Sequence, residues 1–242
     1  MSQTTVKLAL TIMVTERREQ STMPTLQDEL NAFMQNMMGQ VPSEVLQTSR
    51  TQLDKIYQEQ LPTGLTIGDE APNFSLNDAT GKTVHLADLL QLGPVVVSFY
   101  RGAWCPFCNL ELRALQNALP KFNELGATLI AISPQSPDHS LSMQEKNELS
   151  FPVLSDATGA TLDAYHLLYT FTPELQQLYE HVFGVNLAAY NGNLGWKLPV
   201  PATYVIDKSG IIRGAFGNMD YTKRMEPTAI IDVLQGIQSR TH

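Results

Sequence analysis

The run PVVVSFY, Pro94 to Tyr100, limits the fold more than any other stretch of this 242-residue chain. A run of β-branched and aromatic residues interrupted only by Ser98 makes a strand buried on both faces, and such strands lie inside sheets covered by helices. The next residues supply a helix of that kind. From Cys105 to about Leu125 a helix is expected, with Cys108, Leu112, Leu115 and Leu119 on one inward face. Pro120 should kink it, and Gly126 suits the position just past its end. Ala127 to Ile132 then forms a second strand. Strand, helix and strand in this order make a βαβ unit, which places the chain in the α/β class.

The flanking sequence divides readily. Thr25 with Asp28 reads as a capping box opening a helix that carries Leu26, Leu30, Phe33, Met34 and Met37 until Gly39. A second helix should run from Ser43 to about Gln58, with Leu46, Leu53, Ile56 and Tyr57 as its stripe. Residues 23–64 are thus read as a helical extension and residues 1–22 as a loose N-terminal segment. The methionine-rich stripe is read as core packing, with a docking arm or homodimer contact left open. In the main domain, residues 65–242, Asn73–Leu76 and Lys82–His85 flank a turn at Gly81. Ser136-Pro137 opens a further helix, and Phe151–Leu154 gives a short strand. Ala202–Ile206 and Ile211–Phe216 form a last hairpin, and a C-terminal helix starts through Pro227. The aromatic-rich segment 165–198 reads as an insertion before that hairpin, with a helix near Glu174 to His181.

Charge narrows the partners. The net charge is −8 and no Lys/Arg cluster offsets it, so nucleic acid is not an expected partner. Val6 to Val14 is too short to span a bilayer and is succeeded by charged residues instead of a small-residue cleavage site, which argues against membrane insertion and for the cytoplasm.

Both cysteines lie in WCPFC, residues 104–108. Cys105 comes after a strand where a helix begins, so free backbone N–H groups and the helix dipole favour its thiolate, the reactive species. Cys108 lies on the same face one turn later, in reach for a reversible disulfide. Two buried core thiols or half of a metal site are the competing readings. The five histidines lack ligand spacing and there is no second cysteine pair, so no metal is expected. A C-x-x-C pair joined to a βαβ pattern points to redox chemistry of the thioredoxin type.

Three stretches, GDEAPNF from Gly68 to Phe74, VVVSFYRGAWCPFCNLEL from Val95 to Leu112, and PATYVID from Pro201 to Asp207, resemble the peroxiredoxin-like branch of the alkyl hydroperoxide reductase/thiol-specific antioxidant family. The resemblance extends over about residues 65–240. It implies a thioredoxin-like fold, a central mixed sheet flanked by helices. It also implies reduction of hydrogen peroxide or organic hydroperoxides with electrons from thioredoxin or a similar dithiol, with no metal, haem or flavin cofactor. In the family pattern Pro-x-x-x-Thr/Ser-x-x-Cys, with Glu three residues further on, Glu111 sets Cys108 as the peroxide-reactive cysteine. Cys105 then stands for the Thr and Arg101 for the Pro. The family's arginine before the strand at Thr203–Asp207 is absent, and Pro201 there resembles the cis-proline that faces the disulfide of thioredoxins.

The attacking sulfur has two assignments. Helix position, with an expected greater exposure, favours Cys105; family register favours Cys108. Arg101 is expected to lower a thiol pKa or hold peroxide, unless it is a solvated surface residue, and Trp104 to shield the pair, unless it is ordinary packing. A peroxidase would cycle Cys105 and Cys108 between dithiol and disulfide. The alternatives are a protein thiol–disulfide oxidoreductase using the same pair and a non-enzymatic binding module that docks through residues 165–198 and the N-terminal helices.

Overall fold

The computed structural model describes residues 24–60 and 62–240. The loose segment expected over residues 1–22, with its Val6–Val14 run, lies outside them. Two helices, α1 (Leu26–Met38) and α2 (Ser43–Gln60), lead in. The capping box is present: the Thr25 hydroxyl accepts from the Asp28 N–H, and the Asp28 carboxylate accepts from the Thr25 N–H. Strands β1 (Ser75–Asp78) and β2 (Thr83–His85) make the expected hairpin, leading into a short helix α3 (Leu86–Leu92). Next come β3 (Val95–Phe99), α4 (Pro106–Glu124), β4 (Thr128–Ser133), α5 (Pro137–Lys146) and β5 (Val153–Ser155). The chain then passes through α6 (Ala160–Ala164), β6 (Leu168–Thr170), α7 (Pro173–His181), α8 (Leu187–Asn191), a 3-10 turn and β7 (Lys197–Pro199). It ends with β8 (Ala202–Ile206), β9 (Ile212–Gly217) and α9 (Pro227–Ser239).

Seven strands form one sheet in the order β2-β1-β5-β4-β3-β8-β9. The β3–β4 and β4–β5 pairs are parallel, while β8 runs antiparallel to β3, so the sheet is mixed, as the thioredoxin-like expectation requires. β3 is buried at every residue because both faces are covered. Val95, Val97 and Phe99 pack with Tyr165, Tyr204 and the aromatic side chains of residues 165–198, whereas Val96 packs with Leu112 and Leu115 of α4. Full burial of each such aliphatic side chain stabilises the fold by about 1.5–3 kcal/mol. α1 and α9 lie over the same side of the sheet as α4, sharing its apolar cluster through Leu26, Leu30, Ile230 and Leu234.

Helix α4 continues unbroken through Pro120. It closes on Gly126 at φ +71°, whose N–H donates to the Asn123 carbonyl while the Ala127 N–H donates to Phe122. That paired closure returns the chain directly into β4. Residues 165–198 contain the expected helix, and also a two-stranded antiparallel sheet, β6 with β7, and a helix that short-range periodicity does not reveal.

Candidate active site

The turn between β3 and α4 is held from two sides. Gly102 sits at φ +153°, a conformation open essentially to glycine, and Cys105 is the N-cap of α4 with Pro106 in the first turn. Asn109, one turn into the helix, donates from Nδ2 to the Ala103 carbonyl at 2.9 Å and the Cys105 carbonyl at 2.7 Å. Its Oδ1 accepts from Asn147 at 2.8 Å, which ties the turn to the residue that ends α5. Gln135, in the loop after β4, accepts the Ala103 N–H on Oε1 at 2.8 Å. The backbone around Cys105 is therefore fixed by buried amides rather than left to solvent.

Both thiols are free and buried. Cys105 is 1% exposed, which corrects the expectation that the sulfur nearer the helix terminus would be the more accessible: it belongs to the apolar cluster of Tyr100, Phe107 and Cys108, with the buried Arg101 guanidinium against its sulfur. Arg101 is buried too, at 1%, so it is not a solvated surface residue. Its Nη1 lies 3.9 Å from Cys105 Sγ and its Nη2 donates to the Tyr179 hydroxyl at 2.7 Å. The guanidinium also lies over the rings of Tyr221 at 4.3 Å and Trp104 at 4.9 Å. Aromatic faces hold a cation without neutralising it, so the charge remains available to the sulfur.

Arg224 serves the other sulfur. Its Nη2 is 3.6 Å from Cys108 Sγ, and its Nε donates to Glu111 Oε2 at 2.6 Å in an ion pair whose side chains are each 1% exposed. Thr203 of β8 reaches the second Glu111 oxygen at 3.4 Å, and the Tyr221 and Lys223 carbonyls fix the Arg224 fork.

These contacts set the protonation states. Burial pushes the Cys105 thiol up, but the Cys108 hydrogen bond and the Arg101 and Arg224 charges outweigh it, leaving the pKa lowered to about 6. Cys108 moves the opposite way: burial, its bond to Cys105 and the nearby thiolate raise it well above an ordinary thiol. Burial likewise lifts Glu111 to about 7 against the pull of Arg224. The arrangement can thus hold one thiolate, at Cys105, beside a protonated partner sulfur.

Arg101, Trp104, Cys105, Cys108 and Glu111 are gathered in this one cluster. Pro201 is buried just before β8, but among the described residues no peptide bond is cis, which corrects the cis-proline likeness. Its backbone instead takes the trans form, and β8 enters the sheet between β3 and the edge strand β9. Sequence reasoning missed Arg224, Tyr179, Tyr221, Asn109 and Gln135. Only the tertiary fold brings the first three near the cysteines; Asn109 was findable, since a polar residue one turn after an N-cap can reach back to it.

A profile of the AhpC/TSA family matches residues 67–215. A Mycobacterium tuberculosis H37Rv protein provisionally named a peroxiredoxin is 37% identical over 103 residues, covering 43% of this chain. The chain spans about 65% of that relative's length. The thiol-disulfide oxidoreductase ResA of Bacillus thuringiensis subsp. konkukian is 26% identical over 171 residues, 67% of this chain and 80% of ResA. The crystal structure of peroxidoxin BcpB from Mycobacterium tuberculosis superposes with a TM-score of 0.55 at 25% identity, covering 72% of this chain and 98% of BcpB.

Proposed function

Because this chain belongs to the AhpC/TSA family, with its peroxiredoxin and thiol-oxidoreductase chemistry, we propose that it reduces hydrogen peroxide or organic hydroperoxides through Cys105 and Cys108. The observation that carries this reading is a buried Cys105 sulfur 3.9 Å from the Arg101 guanidinium, with the free thiol of Cys108 hydrogen-bonded to it. A residue 1% exposed is open to a molecule the size of a hydroperoxide far more readily than to the disulfide of a folded protein.

In the first step the Cys105 thiolate attacks one peroxide oxygen. An S–O bond forms, the O–O bond breaks, and the sulfur gives up two electrons to become sulfenic acid. The leaving hydroxide or alkoxide takes the Cys108 proton. The Cys108 thiolate then attacks the sulfenic sulfur, forming the disulfide and releasing hydroxide, which is protonated from solvent. Thioredoxin or another dithiol restores the pair by exchange, after the first turn of α4 opens to admit it. Arg101 lowers the Cys105 pKa, Trp104 walls the cation, and Glu111 holds Arg224 on Cys108; Pro201 positions β8 and Thr203. No metal or organic cofactor enters these steps.

Rapid mixing with hydrogen peroxide tests the reading. Wild-type protein should oxidise far faster than a free thiolate, Cys105→Ser should not react, and Cys108→Ser should stop at sulfenic acid. Wild-type oxidation at the free-thiolate rate overturns it. The similarity to ResA supports a second reading, exchange with a protein disulfide, in which Cys108→Ser would trap mixed disulfides with partner proteins.

A further inference from the structure

Beside Cys105, together with the unpaired Nε of Arg101, lie two further buried N–H donors that reach no acceptor among the described residues: the indole Nε1 of Trp104 and the amide Nε2 of Gln135. A buried donor left unpaired loses its hydration without replacement, so two together at one turn require an explanation. Their orientation is not arbitrary. Gln135 commits Oε1 to the Ala103 N–H, and the opposite amide orientation would set donor against donor, so Nε2 must face away from that bond. Gly102 brings the two together. A Cβ added there would stand 2.4 Å from Trp104 Nε1 and 3.1 Å from Gln135 Cδ, so any side chain would occupy the ground between them. The φ of +153° keeps that position a glycine. Arg101 precedes Gly102, and its Nη1 faces the Cys105 sulfur.

The family pattern places a Thr or Ser hydroxyl three residues before its reactive cysteine; three residues before Cys105 stands Gly102, which has no side chain, so the attacking sulfur lacks that oxygen donor. We infer that Trp104 Nε1–H and Gln135 Nε2–H, with Arg101, form a donor cradle that holds the peroxide and stabilises its leaving oxygen as the Cys105 sulfur attacks. The inference rests on the peroxidase reading and adds two catalytic residues to it. As the S–O bond forms and the O–O bond breaks, negative charge gathers on the departing oxygen, and fixed N–H groups inside a buried turn meet it without reorganising. The same donors offer nothing to an alkylating agent whose leaving group is iodide.

That difference supplies the test. Trp104→Phe keeps the ring that faces Arg101 and removes only the donor; Gln135→Met removes the amide at similar length. For each, the second-order rate with hydrogen peroxide is compared with the alkylation rate by iodoacetamide across pH, on protein whose melting curve matches wild type. Peroxide rates about ten- to hundred-fold lower, with iodoacetamide rates and their pH midpoint unchanged, support the cradle. Unchanged peroxide rates in both variants overturn it, and so does an equal fall in both reactions for Trp104→Phe, which would mark a structural role. A slow wild-type protein sinks the peroxidase reading itself, a result separate from either.

Discussion

Arg101 is a buried cation whose contacts are a phenol, aromatic faces and a sulfur, with no carboxylate ion pair among the described residues. A guanidinium so placed is most stable beside a local anion, and Cys105 is the group able to supply one near neutral pH. This fixes the sign of the pH effect. Cys105 is held below the ordinary thiol value, so its thiolate persists above about pH 6 and is lost as pH falls through that value. Between this midpoint and the ordinary thiol range the unfolded chain binds the extra proton, so this group makes folding more favourable as pH rises across that window. Thiolate absorbance near 240 nm should therefore titrate with a midpoint near 6 in wild type. In Arg101→Met the midpoint should climb toward the ordinary value of about 8.5; an unmoved midpoint would show that Arg101 does not set the thiolate.

At the scale of elements, the junction of β3, α4 and β4 is governed by two glycines with different reasons. Gly126 needs its left-handed φ of +71° to close α4, and a Cβ there meets nothing within 4 Å. Gly93, just before β3, is extended, yet its Cβ would lie 2.1 Å from the Gly126 carbonyl oxygen. Gly126→Ala should cost roughly 1–2 kcal/mol, the penalty of a left-handed alanine. Gly93→Ala should cost clearly more, because backbone must move; urea unfolding of the two variants checks the order. Local chemistry of this kind was legible in the sequence: the α4 helix, its Gly126 closure, the Thr25 capping box and the apolar β3 run each declare themselves over a few residues. The site was legible where it is local, from Arg101 to Glu111. Arg224 was not, since its pairing with Glu111 joins residues 113 apart in the chain. Nor was the burial of Cys105, because an N-cap reads as exposed until Tyr179 and Tyr221 are folded against Arg101.

Across the whole molecule, the helical extension and residues 165–198 brace the core and each other. Phe33 of α1 meets Phe107 of α4 edge to face at 5.2 Å, directly behind the cysteine turn. The first turn of α1 donates through the Leu26 and Gln27 N–H groups to the carboxylate of Glu226, the N-cap of α9. The end of α2 pairs with β6: Gln60 donates to the Thr170 carbonyl at 2.9 Å and accepts its N–H at 2.7 Å. Tyr179 of α7 then carries that bracing to Arg101.

The paired guanidiniums make oxidation state a variable of stability. Above about pH 7, where Glu111 is ionised, the Cys105 thiolate and Glu111 balance Arg101 and Arg224 in the reduced form; closing the sulfur–sulfur bond erases one negative charge and strands a positive one in the interior. A crosslink over so short a loop gives back little chain entropy. The oxidised protein should consequently melt below the dithiol protein, by about 2–4 °C for each kcal/mol of imbalance, in paired calorimetric scans with and without reductant. On the proposed cycle, the same asymmetry would make a Cys105–Cys108 bridge a ready acceptor of electrons and favour the return to the dithiol.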